Sequence, residues 1–330
     1  MSSTRGFLLT ALALAALLLP MSSGRSFAAP LTADAVNKAG FSARKEKGLS
    51  PSTLKAQVLL DRARFSPGMI DGTGGENYKK ALSAFQQHND LKQSGKLDAA
   101  TWDKLSADAG EPVIVEYTLT EADVKGPFVE KIPQKLEEMA ELKRLDYTSS
   151  LELLSEKFHM DEKLLRALNP GKSFAAAGEL ILVANVERRG DQGKAAKIEV
   201  DKKTKVLRAL NKEGDLIGFY PATIGSNEKP APSGVYEVRA VAENPIYHYN
   251  PEYKFKGVKS NKPFSIPAGP NNPVGAVWID LSLKSYGIHG TPEPSKISKT
   301  YSHGCVRLTN WDVKDLAKVV SKGTKVEFVD

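Results

Sequence analysis

The chain predicts a multidomain α+β protein: a small helical bundle, a β-α-α-β module, and a mostly β domain with one C-terminal helix. Three observations predict this. Apolar residues recur at helical spacing between residues 50 and 106; two short helical stripes and a strand pattern fill 151–183; and from Lys194 onward the period becomes two. With 330 residues, 41% hydrophobic and 26% charged, the chain can bury several ordinary cores. Its 26 Gly and 19 Pro are non-periodic, which excludes a collagen-like or solenoid architecture.

At the N-terminus, Arg5 precedes an apolar run of 13 residues from Phe7 to Leu19, then Pro20 and the small-x-small exit Ser26-Phe27-Ala28. The run falls short of the roughly 20 residues a membrane-spanning helix needs, so residues 1–28 read as a signal peptide, with an uncleaved membrane anchor as the alternative. No cysteine stands near the exit to receive a lipid. The mature protein is therefore expected outside the cytoplasm, in the periplasm or cell wall. Without Arg5 and Arg25 the formal charge of +7 falls to +5 and is diffuse, which suits an anionic wall polymer or membrane surface and gives no support for nucleic acid. Exported proteins usually pair their cysteines, yet Cys305 is the sole one. Composition leaves three readings for it: an intermolecular bridge, an inert buried thiol, or a nucleophile.

After a linker at 29–49, residues 50–108 form the helical domain. Leu54, Val58 and Leu59 begin one stripe, Tyr78, Ala81, Leu82 and Phe85 form an i, i+3, i+4, i+7 set, and Trp102 and Leu105 mark a third helix after Asp98. Asp71 to Gly75 is the turn between the first two. The string Ile70-Asp71-Gly72, Ala81, Phe85-Gln86, Asn89, Leu91, Gly95 to Asp98 and Thr101-Trp102 resembles the helical peptidoglycan-binding-like domain. Glu76-Asn77-Tyr78 departs from that pattern, where a small residue and Thr usually lead the helix.

Residues 109–144 read as a connector with a strand at Val113 to Val115, breaks at Gly126-Pro127 and Pro133, and a charged helix from Lys135 to Arg144. In residues 145–187, Leu151, Leu154 and Phe158 make one helical stripe. Asp161 caps a second carrying Leu164, Leu165 and Leu168, Asn169-Pro170-Gly171 stops it, and a strand at Glu179 to Val183 closes the unit. Through Tyr147-Thr148, Leu153 to Phe158, Asn169-Pro170 and Gly178 to Val183 this unit is similar to a LysM domain, with Ser149-Ser150 where the family's first turn normally carries Gly-Asp.

In residues 188–330, strands are expected around Ile198 and Val200, Val206 to Leu210, Leu216 to Tyr220 and Val235 to Val241. Six prolines between 244 and 275 exclude a central strand and point to long loops walling a groove. Thr309 and Asp312 start the last helix, whose buried face is Val313, Leu316, Ala317 and Val320, with Gly323 ending it.

Between loops and helix lie Tyr286-Gly287-Ile288-His289-Gly290 and Ser302-His303-Gly304-Cys305-Val306-Arg307-Leu308, so two of the five histidines and the only cysteine fall within 17 residues. A thiol beside an imidazole is a standard route to a nucleophile, because proton transfer to the ring makes a thiolate. Glycines at 290 and 304 let backbone approach a substrate carbonyl, and N–H groups near Gly304 and Cys305 can hold an oxyanion. His88, His159 and His248 read as structural residues. The competing chemistry is a zinc site of His289, His303 and Cys305, weakened by the spacing of two between the last pair.

His289-Gly290 followed thirteen residues later by Ser302 to Leu308 resembles the L,D-transpeptidase (YkuD) catalytic domain, a similarity running from about Ala195 to Val329 and including Pro232 to Tyr236. Ala231-Pro232-Ser233 stands where Thr-Pro usually precedes that glycine. The resemblance implies a cell-wall enzyme without cofactor or metal. Cys305 would be the nucleophile and His289 the base, oriented by the Gly290 carbonyl; His303, Gly304 and the Cys305 amide would shape the oxyanion site. Ser302, Arg307 and Tyr286 would serve the substrate, with Arg307 meeting a carboxylate and Trp278 a further groove candidate.

It further implies attack on a peptidoglycan tetrapeptide stem, release of D-alanine and a thioester that passes to an amine of a second stem or a lipoprotein. Water as acceptor would give a carboxypeptidase or endopeptidase on the same substrate. Acylation by carbapenem-type β-lactams is expected by the same resemblance, and the N-terminal modules would hold the enzyme on glycan strands. A wall-binding protein without catalysis is the alternative from another class.

Overall fold

The computed structural model describes residues 31–42, 48–107, 109–188, 190–191, 193–226, 229–253, 257–302 and 304–330. The signal peptide expected at 1–28 and His303 lie outside them. Among the described residues no helix is long and apolar enough to cross a membrane.

Within the stretch read as a linker, Ala33–Asn37 forms α1 and buries Val36. The side chain of Asn37 explains its place, since Oδ1 accepts the N–H groups of Val113 and Ile114, each at 2.9 Å. Helices α2 (Pro51–Arg62), α3 (Glu76–His88) and α4 (Ala99–Ser106) follow. Ser50 and Asp98 cap α2 and α4 by accepting the N–H of the residue three positions on. The predicted stripes face inward: Leu54, Val58, Tyr78, Leu82, Phe85 and Trp102 are all buried.

Strand β1 (Ile114–Thr118) leads to the short helices α5 (Glu121–Lys125) and α6 (Leu136–Met139), then α7 (Ser150–Lys157), α8 (Glu162–Leu168) and β2 (Leu180–Ala184). Two expectations need correction. The charged helix read over Lys135 to Arg144 is a single turn in α6; it buries no residue, so nothing tertiary supports a longer one. The strand read at Val113 to Val115 is present as β1, and it, not the start of the LysM-like unit at Tyr147-Thr148, pairs with β2, antiparallel from Ile114↔Ala184 to Thr118↔Leu180. The β-α-α-β order is kept, with residues 119–149 inserted between its first strand and first helix. Thr148 and Ser149 instead serve the start of α7, where the Ser149 side chain accepts the Glu152 N–H at 3.2 Å.

The remainder is a nine-stranded sheet with strands β3 (Lys197–Asp201), β4 (Val206–Leu210), β5 (Leu216–Pro221), β6 (Thr223–Ile224), β7 (Gly234–Glu243), β10 (Val277–Leu281), β11 (Gly287–His289), β12 (Val306–Arg307) and β13 (Lys325–Val329). A separate hairpin, β8 (Tyr247–Tyr249) with β9 (Phe264–Ile266), stands among the prolines, consistent with their exclusion of a central strand. The spatial order is β5-β4-β3-β13-β7-β10-β11-β12-β6. The two edge strands are consecutive in the chain, separated only by Ala222, so the sheet curls until its edges approach. Helix α9 (Asn310–Val319) packs against β10 and β11 over a core that includes Ile198, Val238, Ile279, Ile288, Val306 and Leu316. Thr309 caps α9 through the Asp312 N–H at 3.1 Å.

The outer edge of β5 does not face solvent alone. The Phe219 N–H donates to Arg64 O at 2.9 Å and the Ser66 N–H to Phe219 O at 3.0 Å, and Phe65, Val206 and Phe219 share one core with the helices and with β1 and β2. The inserted stretch is seated equally closely. Leu145 N–H donates to Ala268 O at 3.0 Å and Asn271 N–H to Leu145 O at 2.9 Å. At Gly269 (φ +149°) an added Cβ would lie 2.1 Å from the Leu145 oxygen, so only glycine fits.

Candidate active site

Strand alternation builds the site. On β10, β11 and β12 the residues Val277, Ile279, Ile288 and Val306 turn to the core beneath α9, and their neighbours therefore turn to the opposite face. Register then sets Trp278 opposite His289, and His289 opposite Arg307. Cys305, two residues before Arg307, continues the same face. These four side chains line a cleft of about 560 Å³, walled by Pro245, Ile246 and His248 beside the β8–β9 hairpin, by Pro273 and Val274, and by Ser285, Ser302 and Lys229.

The imidazole of His289 is buried at 5% exposure, stacked on Trp278 with centroids 5.5 Å apart and 20° between planes. A β-carbon on Gly287 would fall 2.5 Å from the indole, so the bare strand there makes room for Trp278. Nδ1 lies 2.7 Å from the Gly290 carbonyl, which can only accept, so Nδ1 carries the proton and Nε2 the lone pair. Burial, reinforced by the Arg307 charge, pushes the ring's pKa down to about 3, with the Gly290 and Val274 carbonyls acting in the opposite direction. The resting imidazole is neutral.

Cys305 is partly buried, and its Sγ lies 3.9 Å from Ser285 O. Burial raises the thiol pKa, while a Gly287 backbone hydrogen bond and the Arg307 charge act against it. The thiolate expected from proton transfer to the ring is therefore corrected: desolvation outweighs the favourable partners, and the pair rests as thiol and imidazole.

The turn before the sulfur is shaped from within. Ser302 Oγ donates to Cys305 O at 2.5 Å and accepts the Gly304 N–H at 3.3 Å. Gly304 adopts φ +122°, open to glycine, and the Tyr286 hydroxyl donates to its carbonyl. Tyr286, expected to touch substrate, is instead a buried prop under this turn. Arg307 reaches the cleft with its Nε buried and without a hydrogen-bond partner among the described residues.

Nothing in the sequence pointed to Lys229, and His248 read as structural, yet both stand in the cleft wall; neither lies in a motif, and their place depends on loops folding over the sheet face. Trp278 was flagged, but its stacking on His289 becomes visible only through register.

A model of the L,D-transpeptidase catalytic domain (YkuD) matches residues 195–328, and one described as "Putative peptidoglycan binding domain" matches residues 50–105. The chain is 30% identical over 181 residues to "Putative L,D-transpeptidase YkuD" of Bacillus licheniformis, covering 54% of this chain and 93% of that protein. It is 32% identical over 136 residues to "Putative L,D-transpeptidase YqjB" of Bacillus subtilis, covering 40% of this chain and 69% of the relative. Among solved structures, the catalytic domain of an Enterococcus faecium L,D-transpeptidase aligns at 22% identity and TM-score 0.31, covering 42% of this chain and 100% of that one. The chain belongs to the L,D-transpeptidase family, and is an enzyme of that type.

Proposed function

We propose that this chain is a cysteine L,D-transpeptidase of the cell wall that acts on peptidoglycan tetrapeptide stems, with Cys305 as nucleophile and His289 as base. The observation that carries this reading is the opening of the Cys305 thiol and the neutral His289 ring into one cleft beside an Arg307 Nε that lacks a partner among the described residues. Nε2 takes the thiol proton as sulfur attacks the carbonyl between the third residue, a diamino acid, and the terminal D-alanine. The developing oxyanion is met by backbone N–H groups at Gly304 and Cys305. The C–N bond breaks, the imidazolium returns its proton to the departing D-alanine amine, and a thioester remains. An amine of a second stem, or of a lipoprotein, attacks that thioester, and its proton passes to His289 as the sulfur leaves.

Arg307 and Lys229, the cationic side chains of the cleft wall, suit the carboxylates of such a stem. Ser302 holds the nucleophile turn. Carbapenem-type β-lactams, whose strained carbonyl meets the same sulfur, acylate Cys305. The helical module at 50–108 and the LysM-like unit keep the enzyme on glycan strands, and the leader at 1–28 directs it to the periplasm or cell wall.

The test is release of D-alanine from defined tetrapeptide muropeptides, with intact-mass measurement after incubation with a carbapenem. Cys305→Ala and His289→Ala abolish release while the thermal melt stays close to that of the parent. Normal turnover by Cys305→Ala rejects the nucleophile, and an adduct elsewhere than Cys305 rejects the thiol's role toward the drug. Product masses separate cross-link from hydrolysis.

A further inference from the structure

We infer that Glu156 and Asn310 form a positioning pair for the base, so that the reaction centre of this chain is completed by helix α7, from outside the matched catalytic domain. The inference rests on the reading of Cys305 and His289 given above. The ring of His289 takes its orientation from the Gly290 carbonyl, and Gly290 leans directly on the Asn310 amide. A β-carbon on Gly290 would stand 2.2 Å from Asn310 Oδ1, and one on Gly275 would stand 2.3 Å from it. The same oxygen accepts the Ala276 N–H at 2.9 Å. Asn310 thus touches both the backbone entering β10 and the backbone leaving β11, the two strands whose pairing sets His289 against Trp278.

The other end of the amide determines whether this placement holds. Asn310 Nδ2 donates to Glu156 Oε1 at 2.8 Å and Oε2 at 3.1 Å, and also meets Pro270 O at 3.1 Å. Glu156 is held in turn by the Tyr147 hydroxyl, which donates to Oε2 at 3.1 Å. Asn310 itself is fully buried. Without the carboxylate the buried amide keeps only one carbonyl acceptor, and a buried donor that loses its partner drives rearrangement. The amide would then turn or withdraw, releasing the Ala276 N–H and the backbone around Gly290. Glu156 is not among the residues that line the cleft; it acts on the base through Asn310 and Gly290.

The experiment uses the full chain and a defined tetrapeptide muropeptide, with Cys305→Ala and His289→Ala in parallel. Glu156→Ala is expected to lower kcat about 10- to 100-fold with KM changed less than about twofold, because the base is displaced while the cleft wall is kept. Glu156→Gln retains an acceptor for Nδ2 and recovers most of that loss. Asn310→Asp, which sets two carboxylates against each other, loses activity, and adding Glu156→Gln restores it, since amide and carboxylate have then exchanged sides. A Glu156→Ala protein with parental kcat, or an exchanged pair no better than Asn310→Asp at matched thermal stability, overturns the inference while leaving Cys305 and His289 in place. Turnover by Cys305→Ala overturns the underlying reading, and this inference with it.

Discussion

His289 and Arg307 stand directly opposite one another on the parallel strands β11 and β12. Burial and the neighbouring guanidinium together keep the imidazole unprotonated, its pKa about 3. The same guanidinium favours the thiolate two residues away, against a burial that opposes it. One cation therefore acts in opposite senses on the two ends of the proton transfer: it lowers the cost of the thiolate, and it keeps the resting ring unprotonated by disfavouring the imidazolium.

This geometry makes the thiol's titration depend on Arg307. Alkylation of Cys305 by iodoacetamide is expected to rise with pH and to reach its midpoint above that of a free cysteine, about 8.5. In Arg307→Met the midpoint moves further up, because the favourable charge is gone. A midpoint unchanged or lowered in that variant refutes the electrostatic role.

Gly304 tests the nucleophile turn. Its φ of +122° is one that other residues rarely adopt, and an added β-carbon would come within 3.4 Å of the Tyr286 ring. Gly304→Ala is expected to cost about 1–3 kcal/mol in stability from backbone strain and to lose most D-alanine release, read by denaturant unfolding and turnover. Tyr286→Phe removes the hydroxyl that donates to the Gly304 carbonyl; it should lower turnover without removing the fold.

Asp312, fully buried on α9, has its pKa pushed up to about 8, chiefly by burial, with the Asp61 charge adding to the rise and Arg188 opposing it. The folded state thus holds a proton that the unfolded chain releases near its ordinary value of 3.8. Stability from this group falls as pH climbs through the window between those two values, and the penalty is complete above the upper one. Asp312→Asn keeps an acceptor for the Ser66 hydroxyl, which lies 2.9 Å from Oδ2, and carries no such penalty. Its gain in melting temperature over the parent should therefore be larger at pH 8 than at pH 5, by a few degrees. An equal or reversed difference contradicts the assignment.

The edge of β5 predicts what happens without the helices. Removing residues 31–106 strips the backbone partners of Phe219 at Arg64 and Ser66 and uncovers Val206 and Phe219. The remaining chain is expected to melt lower and to associate through the bared edge, as measured by thermal unfolding and light scattering. A truncated protein that is monomeric and melts like the parent refutes the coupling.

The helices of the N-terminal half were legible because their stripes repeat every three to four residues, with Asp161 announcing the cap of α8, and Thr309 announced that of α9. The four strands from Ile198 to Val241 followed from alternation. The strand at Val113 to Val115 was legible, but it was assigned to the connector and not to the β-α-α-β unit whose β2 it pairs with. Tyr147-Thr148 lies where a compact β-α-α-β unit would begin, and no local pattern reports that residues 119–149 are an insertion. The helix expected to run to Arg144 failed for a related reason: charge-rich residues satisfy helical propensity, but propensity without a buried face does not sustain a helix.

At the site, Ser302, Gly304, Cys305 and Arg307 were readable together because they are neighbours in the chain, in the turn before β12 and on that strand. Their relation to His289 needed only a seventeen-residue span. Glu156 was invisible: it is more than 130 residues from His289, and nothing around it differs from an exposed helical glutamate.

The amino-acid order alone pointed to the family and to the thiol and imidazole proposed to share the chemistry, because each is written in nearby residues whose spacing is the message. Tertiary structure alone decided that both groups rest uncharged, that Tyr286 props a turn instead of lining the cleft, and that a carboxylate from α7 buttresses the backbone beside the base. Those outcomes depend on desolvation and on contacts between segments far apart in the chain, and both arise only when the elements pack.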